Sequence, residues 1–549
     1  MAKYVYSFEE GNKSMNELLG GKGANLAEMT SLGIHVPPGF TITTEVCDQY
    51  HRNGGILSPE VIDQISEYLD ELQEKMNKTL GNKDDPLLVS VRSGAADSMP
   101  GMMDTVLNLG LNDESVQGLA NKTVNQRFAW DAYRRFIQMF GHVVMEIDSR
   151  LFESVLQKIK EANSVKNDSG LDIEDLKKVV EEYKQVVHAE RGESFPQDPR
   201  KQLEMSIKAV FNSWHNERAT LYRKLYGIRG LLGTAVNVQS MVFGNKGENS
   251  ATGVCFTRNP ATGENKFYGE FLVNAQGEDV VAGIRTPDPI SKLNEIMPDA
   301  YQKLLAIRKK LENHFRDMQD MEFTIEEGHL FMLQTRNGKR TAESSLRIAV
   351  EMVEEGLLTK KEAILRIDPN QLDQLMHKHI DKDAVPKAIS IAKGLPASPG
   401  AAVGEIVFDA HEADALANDG RKVILVRTET SPEDLIGMNA AQGILTSRGG
   451  MTSHAAVVAR GMGKCCVAGC GDIRIDEEKE TLSAAGLTLK KGDYITLDGS
   501  TGNVYEGRLS LQDPELSDNF DRIMEWADEF RTLKIRTNAD TPHDAANAI

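Results

Sequence analysis

The 549-residue sequence has no apolar run near the roughly 20 residues that a membrane helix needs. Its first residues, MAKYVYSFEEGNKS, hold no apolar signal core. Cysteine is scarce: five in a chain this long, an odd number, point away from a disulfide framework. A reducing cytoplasm is the expected compartment. Positive charge is in deficit, with a net charge of -19. That argues against non-specific binding to nucleic acid or anionic membrane. It leaves an anionic substrate open, because phosphate sites are local. Neither a G-x-x-x-x-G-K-[ST] loop nor a G-x-G-x-x-G loop occurs, so any nucleotide must be held in another way. Internal repeats and low-complexity tracts are absent too.

What is there predicts an α/β multidomain protein of about three or four domains. LLVSV, 87–91, reads as a short strand ending at Arg92, before the glycine- and methionine-rich SGAADSMPGMMDT. Helical patterns follow to about residue 227, with a helical insertion at about 112–200. Within it EDLKKVVEEYKQVVHAE has amphipathic spacing. AVNVQSMVF and GVCFTRNP read as strands, and FTIEEGHLFMLQTR as a hairpin. Residues 1–340 are therefore expected to form one domain. Residues 341–393 read as a charged helical linker. Pro and Gly then open a domain at 394–507, where VILV, SPEDLIGMNA, GILT and SHAAVVARG alternate strand and helix. A second linker spans 508–533, and 534–549 reads as one strand and the start of a helix.

The stretch TSRGGMTSHAAVVARG holds a single histidine, His454. Gly449 and Gly450 allow a tight turn after GILT, and Thr452 or Ser453 is a natural N-cap. His454 then falls in the first helical turn, where free N–H groups and the dipole favour a phosphate. A neutral imidazole there is nucleophilic. The bland alternative is a capping-region histidine that only packs. Cys465, Cys466 and Cys470 follow it; their spacing is not C-x-x-C, and they are expected to be small buried hydrophobes rather than zinc ligands.

Other candidates are spread along the first domain. GGKGANLAEM offers glycines, Lys22 and then a helix. Arg92, at the expected strand end, can grip phosphate in a bidentate way or form a surface ion pair. Asp320 and Glu322 alternate along a strand and so share a face, with Gln334 expected across the hairpin. Such oxygens suit Mg²⁺ that already carries phosphates; the alternative is an exposed polar strand face.

GGMTSHAAVVARGMG resembles the phosphohistidine motif of enzymes that move phosphate to and from phosphoenolpyruvate. TSRGGMTSHAAVVARGMGKCCVAGC looks like the version in the pyruvate phosphate dikinase family. GGKGANLAEM, SVRSGAADSMPGMMDTVLNLGLN, ATGVCFTRNPATGENKFYGEFLVNAQGEDVVAG and FMLQTRNGKRTA are similar to that family's ATP-grasp domain. The resemblance implies an ATP-grasp domain, a swivelling β/β/α phosphohistidine domain and the start of a (β/α)8 barrel. It gives His454 the role of phosphoryl carrier. Lys22 and Arg92 are expected on phosphates and in catalysis, Thr252 on the phosphate chain and Glu278 near the nucleoside. Asp320, Glu322 and Gln334 are expected to hold metal and nucleotide, with Arg336 beside them.

The implied reaction interconverts ATP, phosphate and pyruvate with AMP, pyrophosphate and phosphoenolpyruvate. The implied cofactors are Mg²⁺ and a monovalent cation, ammonium or potassium. Family members continue into a barrel that binds pyruvate and phosphoenolpyruvate, whereas this sequence stops after what reads as its first strand. The expectation is therefore a chain competent in the nucleotide half alone, and monomeric where the family is homodimeric. Two other readings stay open: a phosphoenolpyruvate synthase-like dikinase that uses water, and a phosphocarrier or regulatory module without catalysis.

Overall fold

The computed structural model describes residues 2–99, 101–165, 168–225, 227–281, 286–372, 379–381, 384–385, 388–512 and 517–534. Among them the chain is a mixed α/β protein built on three main sheets. Residues 534–549, expected to begin a barrel, lie outside the described residues except for Lys534.

The first sheet has five antiparallel strands in the order Val5–Ser7, Gly39–Ile42, Ala235–Ser240, Val89–Gly94, Thr105–Leu109. Val89, Val91, Val106 and Val236 are buried in its core, as β-branched residues on a pleated face favour. Arg92 lies inside the strand Val89–Gly94, not at its end as the sequence suggested. The reason is pairing: Ser93 and Gly94 continue the ladder against Val236 and Ala235.

The second sheet is also antiparallel, in the order Asp288–Pro289, Tyr268–Val273, Ala251–Phe256, Gln319–Glu326, His329–Asn337. Its last two strands are the expected hairpin. Glu327 and Gly328, both with positive φ, turn the chain there.

Between the strands Thr105–Leu109 and Ala235–Ser240, both of the first sheet, helices run from Ser115 to Leu225, close to the end near 227 expected of the helical patterns and past the 112–200 expected of an insertion. Gln126–Val143 and Ile173–Arg191 pack together, with Tyr133, Phe136, Phe140 and Phe195 meeting mostly edge to face.

The helix Asn16–Ser31 joins the two sheets. It is broken at Gly20, whose φ is 67° and ψ 163°. The glycines of GGKGANLAEM are thus not a loop before a helix. They interrupt one, because the chain must pass close to the strand Val89–Gly94. A Cβ on Gly20 would sit 1.6 Å from the Gly94 carbonyl oxygen. Beyond the break Gly21 N–H donates to Ala95 O at 2.8 Å, and Asn25 Nδ2 donates to Thr335 O at 2.9 Å. Lys22 is fixed between the two sheets by these ties.

The third sheet has eight strands in the order Ser390–Lys393, Asn503–Glu506, Tyr494–Asp498, Ala401–Val407, Val423–Arg427, Gly443–Thr446, Cys465–Ala468, Leu395–Ser398. The four strands from Ala401–Val407 to Cys465–Ala468 run parallel. Ser390–Lys393 pairs with Asn503–Glu506, so the sheet begins before residue 394 and the linker expected to reach 393 ends earlier. The two linkers are not independent spacers. Ile523 and Trp526 of the helix Asp518–Phe530 share a core with Leu346, Val350 and Met352 of Ala342–Glu354. The short strands His379–Ile380 and Leu511–Gln512 pair as well.

Candidate functional site

One cavity of about 1360 Å³ takes its walls from both five-stranded sheets, the helix Asn16–Ser31 and the start of the helix His454–Met462. Lys22, Arg92, Thr252, Asp320, Glu322, Gln334, Arg336 and His454 all line it. Residues scattered over more than 400 positions of sequence are thereby brought to one place. Glu278 lies on the short helix Gly277–Val281, but its side chain is outside the described residues.

The charges are arranged in alternation. Arg92 Nη2 donates to Glu322 Oε2 at 3.0 Å, which ties the first sheet to the second. Arg336 Nε donates to Asp320 Oδ2 at 2.7 Å across the hairpin. Register puts Glu322 opposite Gln334 and Asp320 opposite Arg336. Burial drives the Asp320 carboxyl upward, and Arg336 only partly offsets it. Burial acts the same way on Glu322, but Arg92, Lys22 and Arg336 outweigh it and hold that carboxyl below its ordinary range. The Lys22 ammonium is pushed well below its ordinary value by burial and then by Arg92, with Glu322 opposing. A ligand with several negative charges would relieve both the crowded cations and Lys22's desolvation.

Thr252 is buried in the strand Ala251–Phe256. Its hydroxyl donates to Phe323 O at 3.2 Å and lies 3.3 Å from Thr324 Oγ1. Arg92 makes an ion pair, but inside the cavity rather than on the surface.

His454 opens its helix. Ser453 is the N-cap, accepting from Ala456 N–H at 3.4 Å, and Gly463 ends the helix in the left-handed region with φ 65°. The Nδ1 atom lies 3.1 Å from Thr430 Oγ1. The Nε2 atom is shielded from solvent and has no hydrogen-bond partner among the described residues. With Nδ1–H donating to Thr430, Nε2 keeps its lone pair. Burial lowers the imidazole pKa to about 4; Glu433 opposes the shift and Lys339 adds to it. The ring is neutral at pH 7.

The histidine unit is docked on the second sheet and on the helices that follow the first part of the chain. Glu270, on the strand Tyr268–Val273, accepts from Met451 N–H at 3.4 Å and Thr452 Oγ1 at 3.2 Å. Arg218 Nη1 donates to Glu433 Oε1 at 3.0 Å. The guanidinium of the buried Arg460 is 5.9 Å from the Phe256 ring centroid.

Thr430, Glu433 and Lys339 were not among the residues singled out in the sequence. Thr430 carried a topological signal. The strands Val423–Arg427 and Gly443–Thr446 are parallel neighbours, with Arg427 opposite Thr446. The loops leaving them therefore start from one edge of the sheet, where ligands of parallel sheets gather. Lys339 follows the hairpin and faces the docked helix, which only tertiary structure reveals. Its ammonium is lowered to about 8 by burial and then by Arg336. Cys465, Cys466 and Cys470 are buried and free, in keeping with their reading as small hydrophobes. Among the described residues no group of three or more His, Cys, Asp or Glu could hold a metal, and no helix is long and apolar enough to cross a membrane.

Asp320 Oδ1 is buried with no hydrogen-bond partner among the described residues. It shares a strand face with Glu322, whose partner across the hairpin is Gln334. These oxygens fit a hard divalent cation that takes its remaining ligands from a phosphate chain.

Fold and site together define a mixed α/β multidomain protein in which a histidine-bearing unit closes a charged cavity between two antiparallel sheets. Residues 16–61, 55–295 and 291–357 match the family model for the pyruvate phosphate dikinase AMP/ATP-binding domain, and residues 420–502 match the mobile domain of PEP-utilising enzymes. The chain belongs to the pyruvate phosphate dikinase family. It is 59% identical over 550 residues to pyruvate, phosphate dikinase of Clostridium symbiosum, covering 100% of this chain and 63% of that protein. It is 56% identical to the chloroplastic pyruvate, phosphate dikinase of Flaveria pringlei, over 100% of this chain and 57% of that protein. A Rhizobium meliloti relative of the same name is 55% identical, again over 100% of the chain and 63% of the relative. The chain thus spans about three-fifths of the length of these relatives.

Proposed function

We propose that this chain carries out the nucleotide half of the pyruvate phosphate dikinase reaction, with His454 as the phosphoryl carrier. The observation that carries the reading is the shielded Nε2 of a neutral, half-buried His454 in the same cavity as Lys22, Arg92 and Arg336. Phosphoryl transfer needs mainly positioning and charge neutralisation, and this cluster supplies both.

Nε2 attacks the β-phosphorus of ATP, and the bond to the α,β-bridging oxygen breaks as AMP leaves. Inorganic phosphate then takes the γ-phosphoryl group and departs as pyrophosphate. His454 keeps the β-phosphoryl group for transfer to pyruvate, which would give phosphoenolpyruvate. Arg92, Arg336 and Lys22 grip the phosphates. Thr252 flanks the phosphate chain and Glu278 the nucleoside. Thr430 holds Nδ1 so that Nε2 faces the phosphate. Asp320, Glu322 and Gln334 would hold Mg²⁺, which supplies charge neutralisation on the phosphates when bound. No residue is assigned to the monovalent cation that the family resemblance implies.

The paired antiparallel sheets with a cavity between them support an ATP-grasp reading of residues 1–340. The connectors on either side of the 394–507 region support a unit that swivels between this cavity and a second site.

The test is product analysis with ATP and Mg²⁺, with and without phosphate. AMP should form stoichiometrically with chain, and pyrophosphate should appear only when phosphate is added. Orthophosphate formed from water instead would favour the synthase-like reading. Absence of AMP would favour a non-catalytic carrier.

A further inference from the structure

Part of the cavity wall has a chemistry that the phosphate-gripping residues do not use. The segment after the strand Ala235–Ser240 meets the segment before the helix Gly277–Val281, held by Ala275 N–H donating to Gly244 O at 3.0 Å. Met241, Val242 and Val280 give this wall an apolar surface. Two buried polar atoms interrupt it without hydrogen-bond partners among the described residues, Ser240 Oγ and Gln276 Oε1. Both residues line the cavity.

Gln276 is the more constrained of the two. It is 5% exposed. Its backbone N–H donates to Asp279 Oδ2 at 2.9 Å, and its Nε2 faces Asn245 Oδ1 at 3.5 Å. The amide oxygen meets no donor among the described residues. A buried acceptor left unpaired is costly, and a ligand that brings a donor removes the cost.

We infer that Gln276 reads the exocyclic 6-amino group of a purine base and so determines the preference for adenine over guanine. This rests on the nucleotide reading above and adds the residue that selects the base. An apolar wall suits the faces of a purine, while a few placed polar groups fix its edge. The 6-amino group of adenine is a donor and meets the Gln276 oxygen. Guanine carries an acceptor at that position, so two oxygens would face each other. A site with a buried acceptor discriminates against an analogue that lacks the donor more strongly than an apolar pocket can.

The experiment is calorimetry of the 549-residue chain with Mg²⁺ and ATP, purine riboside 5′-triphosphate or GTP. Purine riboside lacks the amino group and is otherwise the same base. The native chain should bind ATP roughly tenfold more tightly than purine riboside triphosphate, and GTP more weakly still. Gln276→Leu should bring ATP down to the level of purine riboside triphosphate. Gln276→Glu keeps an acceptor and should keep the ratio. Equal binding of ATP and purine riboside triphosphate by the native chain would overturn the inference whatever the variants do. So would a Leu variant that keeps the full ratio, or one that weakens both ligands in parallel. A native chain that binds none of the three would overturn the nucleotide reading itself, and the base assignment with it.

Discussion

His454 is held in a state that its sequence neighbours only partly explain. The serine cap and helix start were legible, because cap and turn chemistry act within a few residues. The shift of its pKa was not, since burial comes from the opposing sheets. The folded imidazole titrates at about 4, against about 6.5 for an unperturbed histidine. Its contribution to stability is therefore complete above about pH 6.5 and is lost as pH falls through about 4, because the unfolded chain takes the proton first. Imidazole proton shifts followed by NMR should show His454 neutral at pH 5.5, with a midpoint near 4. A midpoint near 6.5 would mean that the ring is solvated and the docked geometry wrong. The same logic explains why Arg92 was ambiguous in sequence. An arginine beside a glycine-rich loop can be an ion pair or a phosphate grip, and the structure makes it an ion pair inside the cavity.

At the scale of elements, the hairpin Gln319–Asn337 was readable because two alternating apolar runs flank a short turn. Its register then set the facing of Glu322 and Gln334. The break in Asn16–Ser31 was not readable. Glycines beside a lysine look like a loop, and only the approach of the strand Val89–Gly94 shows why the helix must break. Gly20→Ala tests this directly. The residue has a positive φ, and its new Cβ would meet the Gly94 carbonyl oxygen. Left-handed strain and overpacking together should cost roughly 3 kcal/mol or more. Urea unfolding checks the loss of stability. A change under about 0.5 kcal/mol, the range of ordinary surface substitutions, would show that the backbone there relaxes freely. The edge strand Ser390–Lys393 was missed for a related reason. Its pairing partner, Asn503–Glu506, lies about a hundred residues away, beyond the reach of any local pattern.

For the whole molecule, most of the order was legible: an α/β first part, a connector, and a strand–helix alternation around one histidine. The juxtaposition was not. Nothing local places His454 against Lys22 and Arg92, and the contacts that do so, Glu270 with Thr452 and Arg218 with Glu433, each join distant segments. That juxtaposition is the central claim, and positional labelling tests it most directly. The chain would be incubated with Mg²⁺, phosphate and ATP carrying ³²P in either the β or the γ position, and the labelled protein would be digested and mapped. The account predicts acid-labile label from β-³²P-ATP on the peptide holding His454, none from γ-³²P-ATP once phosphate is present, and none in His454→Asn. Label that enters from the γ position and stays, or that survives loss of His454, would contradict it.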